Sequence, residues 1–441
     1  SPKLSASLEQ GGPPSPLAAQ LPTGWGQWLL VLPPPRCGIT GGWEASAAER
    51  RDGRQDGAAR GPRTRRPRQT WHDAGMSSAF TDLCRYPIVQ APMAGGGSTP
   101  QLVAAVAEAG GLGCLAAGYK TADGMYQEIK QVRSLTARPF GVNLFMPQPE
   151  YPGASPGSTG AAGAAPLDAA VEVYRNQLAG EATWYETQLG DTDGKRDDGY
   201  DAKLAILLDD PVPLVSFTFG CPTREVVQAF DRVGTRTVVT VTTPEEARAA
   251  QRAAADAVCV QGIEAGGHQG THRDNPEADG SGIGLLSLIA QVRETVQLPV
   301  IAAGGLMRGG QIAAVLAAGA DFAQLGTAFL VTPESGAQPL HKQAMTNPLF
   351  GHTELTRAFS GRPARGLVNR FMREHGPYAP AAYPHVHYLT AGLRKAAAKA
   401  GDPQAMALWA GQGHRLARAL PAGELMEVLV AELEEAKATF A

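Results

Sequence analysis

Eight short apolar runs, separated by segments with helical spacing, restrict this chain more than any other feature. They cover residues 88–90, 112–117, 140–145, 214–219, 237–241, 257–261, 300–303 and 322–325. Short continuous apolar runs suit strands buried on both faces, as in a parallel sheet. The segment 100–109 (PQLVAAVAEA) opens on a proline, favoured in a first helical turn, and Gly110 follows it. Segments 245–254 and 311–318 repeat the helical pattern. Alternating strands and helices give a parallel sheet, and a doubly wound sheet usually stops near about six strands, whereas eight units close into a ring. The expected fold class is α/β: a TIM-type (β/α)8 barrel with an additional C-terminal, mainly helical unit and a disordered N-terminal tail.

The boundaries follow from composition. Residues 1–75 are rich in Pro, Gly, Ala and Arg, lack apolar periodicity and carry the cluster RGPRTRRPR at 60–68, so they read as a disordered basic extension. The apolar piece WGQWLLVLP (25–33) is followed, not preceded, by basic residues and does not make a signal peptide. Met76 opens the compact part, and residues 76–330 are assigned to the barrel. An insertion at 147–213 contains YPGASPGSTGAAGAAP (151–166) and a helix-compatible piece at 167–189. Placed after the third strand, it is expected to hang over the barrel mouth. Beyond Leu330 the alternation stops, and residues 331–441, with helical runs such as 423–438, form a C-terminal unit expected to complete the active site.

Charge and cysteine usage exclude several classes. Residues 1–75 hold ten Lys and Arg against six Asp and Glu, leaving 29 against 36 of the chain's 39 and 42. An acidic body argues against nucleic-acid binding, which needs a basic surface. No stretch approaches the ~18 consecutive apolar residues of a membrane span. Five cysteines without CxxC spacing fit a reducing compartment and give no zinc signature. The expectation is a soluble, cytoplasmic protein.

In such a barrel the residues after each strand carry function. Ala91, Pro92 and Met93 follow the first strand, Asn143 ends the third, Gly304 and Gly305 follow the seventh, and Gly326 and Thr327 the eighth. The last two glycine positions suit a phosphate, where backbone N–H groups meet an anion. After the sixth strand the sequence AVCVQGIEAGGHQGTH (257–272) passes into a glycine-containing loop. There His268 offers a side chain that titrates near neutrality, and Gly266 and Gly267 allow close approach to the backbone. His268 and His272 have no third ligand in view, so no metal is expected. Cys221, with no assignable base, reads as an inert thiol.

Six segments, QAPMAGG (90–96), FGVNLF (140–145), VQGIEAGGHQG (260–270), IAAGGL (301–306), AQLGTAF (323–329) and LWAGQG (408–413), together resemble the nitronate monooxygenase family, formerly called 2-nitropropane dioxygenase, over about residues 80–440. The resemblance implies an FMN-dependent barrel that oxidises alkyl nitronates, such as propionate 3-nitronate, with molecular oxygen to carbonyl compounds and nitrite, a detoxifying reaction. It implies FMN contacts from Ala91, Pro92, Met93, Asn143, Gln261, Gly266 and Gly267. Gly304, Gly305, Gln324, Leu325, Gly326 and Thr327 complete that set. His268 becomes the catalytic histidine and a substrate contact, with Tyr383 and Tyr388 as further substrate-pocket residues. FMN-dependent enoyl-acyl-carrier-protein reductases share a similar EAGGHQG loop, so the alternative is an NAD(P)H-dependent FMN reductase of enoyl thioesters or quinones. Two roles for His268 stay open: holding the nitronate anion, protonated or by hydrogen bond, or removing the proton beside the nitro group of a neutral nitroalkane. The oligomeric state also stays open.

Overall fold

Each of the eight apolar runs forms a strand in the computed structural model, which describes residues 80, 82–148, 167–192, 197–278 and 280–440. The tail assigned to 1–75 and the Pro/Gly-rich stretch 151–166 lie outside the described residues. The barrel strands are β1 (Ile88–Gln90), β2 (Gly113–Ala116), β3 (Phe140–Phe145), β4 (Leu214–Thr218), β5 (Arg236–Val241) and β6 (Ala257–Gln261). A two-residue strand β7 (Gly267–His268) comes next, then β8 (Val300–Ala303) and β9 (Phe322–Leu325) of the barrel. The eight pair in parallel in the order β1-β9-β8-β6-β5-β4-β3-β2. A parallel bridge between Val89 and Leu112 joins the two ends, with Leu112 N–H donating to Ile88 O and Gln90 N–H to Leu112 O, both at 2.9 Å.

Both strand faces are apolar because both are covered. Ala257, Cys259, Ile301 and Ala303 pack with Phe322 and Cys114 inside the ring. Their neighbours Val258, Val260, Val300 and Ala302 belong to the layer beneath the helices. This explains the missing polar alternation. Entry into several helices is set by threonine: Thr99, Thr121 and Thr243 accept from Leu102, Gly124 and Glu246 N–H at 3.1, 3.0 and 3.3 Å, which satisfies a backbone donor that the helix leaves open.

Two features depart from simple repetition. Only a single helical turn, Thr327–Leu330, follows β9, and the C-terminal helix Ala422–Phe440 packs against helices Gly309–Ala317 and Pro100–Glu108, in the place of the eighth barrel helix. Its Glu432 Oε2 accepts from Gly309 N–H at 2.8 Å. A Cβ on Gly309 would stand 2.3 Å from Leu433 N, so this contact requires glycine. The C-terminal region also adds strands β10 (Thr353–Thr356) and β11 (Ala364–Leu367) to its helices. They form an antiparallel sheet in the order β10-β11-β7. Helix Leu167–Gln177 joins the same region: Val171, Tyr174 and Leu178 share a second core with Phe359, Phe371 and Leu389. No described helix is long and apolar enough to cross a membrane.

Candidate active site

The C-terminal ends of the barrel strands converge on a cavity of about 310 Å3. Ala91, Pro92 and Met93 reach it from β1, Asn143 from β3, and Gln261 with Gly266, Gly267 and His268 from β6 and its loop. Gly304 and Gly305 line it after β8, and Gln324, Gly326 and Thr327 at the end of β9. Three expected residues are not in the wall. Leu325 is 1% exposed and packs between strand and helix, its carbonyl accepting from Ala91 N–H at 2.9 Å. Tyr383 stands one layer back, its ring 5.8 Å from that of His268. Tyr388 packs edge-on against His387, 5.4 Å away.

His268 does not sit in a flexible loop, as its glycine-rich surroundings suggest. It pairs with Ala364, and Gly267 with Arg365, as β7 of the small sheet. Gln261 ties both sides of the loop: its Nε2 donates to His268 O at 3.1 Å and its Oε1 accepts from Gly270 N–H at 2.6 Å. The rings of Phe219, Tyr383 and Trp409 surround the imidazole at 5.8, 5.8 and 5.5 Å. Nε2 lies 2.8 Å from Ser360 Oγ. Burial, reinforced by the guanidinium groups of Arg362 and Arg394, pushes the pKa of His268 down to about 3, so the ring is neutral at physiological pH.

The glycines of this loop serve the protein's own packing. A Cβ on Gly266 would lie 2.4 Å from Gly411 N, so the close neighbour of Gly266 is the 408–413 segment. Gly267 takes φ +74°, a conformation that favours glycine. Thr327 Oγ1 accepts from Gly411 N–H at 2.9 Å, which anchors the same segment to the end of β9.

Asn143 and Gln324 are half-committed. Asn143 Nδ2 donates to Ser216 Oγ and Thr218 Oγ1 at 2.9 and 3.0 Å, and Gln324 Nε2 to Cys259 Sγ at 3.3 Å. Their amide oxygens receive no hydrogen bond from a described residue. Two side chains singled out earlier stay outside the chemistry. His272 Nε2 hydrogen-bonds Thr240 O at 2.9 Å, and burial pushes the Cys221 thiol up to about 11.

The sequence reading missed the far wall. Tyr119, at φ +66°, lies flat against His387 with ring centroids 4.0 Å apart. Phe219, at φ +74°, follows β4. Both are bulky residues in a backbone region that costs them energy, a kind of strain that clusters at functional sites. Tyr119 N–H is held by Asp198 Oδ1 at 2.9 Å, and Asp198 by buried Lys203 at 2.6 Å. Arg394, Ser360 and Trp409 complete the wall from the C-terminal region. Tyr119 and Phe219 were legible as strand-end residues; Ser360, His387 and Arg394 carry no local motif.

A model of the family described as nitronate monooxygenase matches residues 77–432. The chain is 42% identical over 374 residues to a nitronate monooxygenase of Pseudomonas aeruginosa, across 81% of this chain and 99% of that protein. Among solved structures, a nitroalkane oxidase from Streptomyces ansochromogenes is 72% identical with a TM-score of 0.78, covering 82% of this chain and 100% of its own. FabK from Thermotoga maritima is 27% identical with a TM-score of 0.60, covering 82% and 97%.

Proposed function

Since this chain belongs to the nitronate monooxygenase family, a family of flavin-dependent oxidoreductases, we propose that it oxidises alkyl nitronates with molecular oxygen to carbonyl compounds and nitrite on an FMN, with His268 as the catalytic histidine. The observation that carries this reading is the convergence of all eight barrel-strand ends and the clamped His268 on one cavity.

The residues present fit a flavin mononucleotide. The cavity falls within the ~300–1,000 Å3 typical of small-ligand sites. Gly304 and Gly305, at φ +137° and +67°, make a side-chain-free turn beside Gly326 and Thr327, suited to one terminal phosphate. The open amide oxygens of Asn143 and Gln324 would offer hydrogen-bond acceptors to the polar edge of a bound flavin ring. FMN bound there supplies the redox chemistry, taking electrons from the substrate and passing them to oxygen.

The chain's own part is binding and proton control. With Nε2 engaged by Ser360, Nδ1 of His268 is the ring nitrogen left for substrate. Neutral, it accepts the proton beside the nitro group of a nitroalkane, or in the other tautomer donates a hydrogen bond to a nitronate oxygen. Phe219, Tyr383 and Trp409 exclude water around it. Residues 331–441 complete the site through Ser360, His387, Arg394 and Trp409, and Cys84, Cys114, Cys221 and Cys259, free thiols among the described residues, suit a cytoplasmic enzyme.

The test is oxygen uptake and nitrite release by the purified yellow protein given propionate 3-nitronate without NADH, with the heat-released cofactor identified. We expect turnover and FMN. The likeness to FabK favours a second reading, an NAD(P)H-dependent FMN reductase. Anaerobic bleaching of the flavin by NADH, with no oxygen uptake on nitronate, would establish that reading instead.

A further inference from the structure

We propose that Arg394 is the anion-recognition residue of this pocket and that, given the nitronate-oxidising reading above, it makes the enzyme prefer the nitronate anion to the neutral nitroalkane. The pocket wall contains no Asp or Glu, and Arg394 is its one permanent charge among the described residues. Its Nε donates to Thr390 Oγ1 at 3.2 Å and its Nη2 to His387 O at 2.9 Å. Nη1 donates to no described residue, and among the described residues no carboxylate pairs with the guanidinium. A half-buried cation without a counter-ion loses part of its hydration, a cost that an anion meeting it offsets.

The other positive groups nearby are unsuited to the task. Arg362 is 1% exposed, stacks 4.2 Å over the Phe219 ring and donates to Gln148 Oε1 at 2.6 Å and to Thr271 O, outside the wall. His268 is neutral. His387 is also held neutral, since burial and then Arg394 push its pKa down to about 2. Arg394 Nη2 lies 3.5 Å from His387 Nδ1; a guanidinium only donates, so Nδ1 is the unprotonated nitrogen and Nε2 carries the hydrogen. Arg394 is therefore the wall's cationic donor, with the neutral ring of His387 beside it. The guanidinium can donate to either substrate form, but the Coulomb attraction between full opposite charges, stronger away from bulk water, exists for the ionised substrate alone.

Nitrate, a planar oxyanion of nitronate shape that cannot be turned over, is the probe. Titrated into the flavin-loaded protein at constant ionic strength, with chloride as control, it should bind the wild type and perturb the flavin absorbance. Arg394→Met should weaken nitrate binding by about tenfold or more, and Arg394→Lys, which keeps a cation, by less. In turnover, Arg394→Met should lower the ratio of kcat/KM on a nitronate to kcat/KM on the matching neutral nitroalkane by a similar factor, mainly through KM. Nitrate affinity equal in the wild type and both variants, or no nitrate binding by the wild type, overturns the proposal. Arg394-dependent nitrate binding without oxidation of nitronate or nitroalkane would retain the anion site and refute the enzymatic reading instead.

Discussion

His268 enters its pocket as a neutral base because desolvation and, behind it, the guanidinium groups of Arg362 and Arg394 all disfavour its charged form, and that state shapes its pH behaviour. A histidine near its ordinary value of about 6.5 loses base strength through protonation as pH falls to 5. With a pKa near 3, the proton is taken up only well below pH 5. The His268-dependent part of kcat/KM on a neutral nitroalkane should therefore show no acid limb between pH 5 and 8. His268→Asn keeps a polar side chain and removes the titrating ring, so flavin content should survive. Activity on neutral nitroalkanes should fall by about a hundred- to ten-thousand-fold, the usual range for a lost general base. Oxidation of pre-formed nitronate should fall less, because no proton has to be removed. Equal losses on both substrates would refute the base role. The sequence placed His268 at a strand end because the Gly-Gly-His pattern is local. It could not place Ser360 or Arg394, which reach the same cavity from 92 and 126 positions further along the chain and are recruited by tertiary packing.

At the scale of elements, the clamp on His268 rests on glycine. β7 pairs with β11, and the 408–413 segment continues along the same edge of β11, Leu367 N–H donating to Leu408 O at 2.8 Å, while Gln412 N–H donates to Glu264 O at 3.0 Å. Gly266→Ala would drive a Cβ to 2.4 Å from Gly411 N and 2.5 Å from Ala410 C, both backbone atoms. Overpacking of this kind costs about 1–3 kcal/mol, within the reserve of about 5–15 kcal/mol of a folded protein. The expected variant is folded by circular dichroism yet loses most turnover, since β7 must move away from the segment. Full activity would show that the contact is dispensable. The eight barrel strands were legible because burial on both faces leaves continuous apolar runs. β7, β10 and β11 were not: GH, TELT and ARGL have no apolar periodicity, and each is a strand only because its partners lie beside it.

For the whole molecule, the barrel is closed by chain from its far end. Leu425, Met426, Leu429 and Leu433 of helix Ala422–Phe440 are each at most 1% exposed and belong to the same core as Ile88, Val106 and Ile312. A Cβ on Gly111 would meet Met426 Cε at 2.8 Å, which marks how closely this helix docks beside β2. Burying one such side chain contributes about 1.5–3 kcal/mol, so four contribute about 6–12 kcal/mol as an upper figure, comparable with the entire stability of about 5–15 kcal/mol. A chain ending at Pro421 should therefore fail to fold, although every cavity-lining residue is retained. Removal of residues 1–75, by contrast, takes away nothing that the family match at 77–432 includes, and flavin content, melting temperature and turnover should be unchanged. Expressing the two truncations side by side separates them. A soluble, yellow chain ending at Pro421 would mean that the ring of strands holds without helix Ala422–Phe440, which then covers the barrel without being needed to build it.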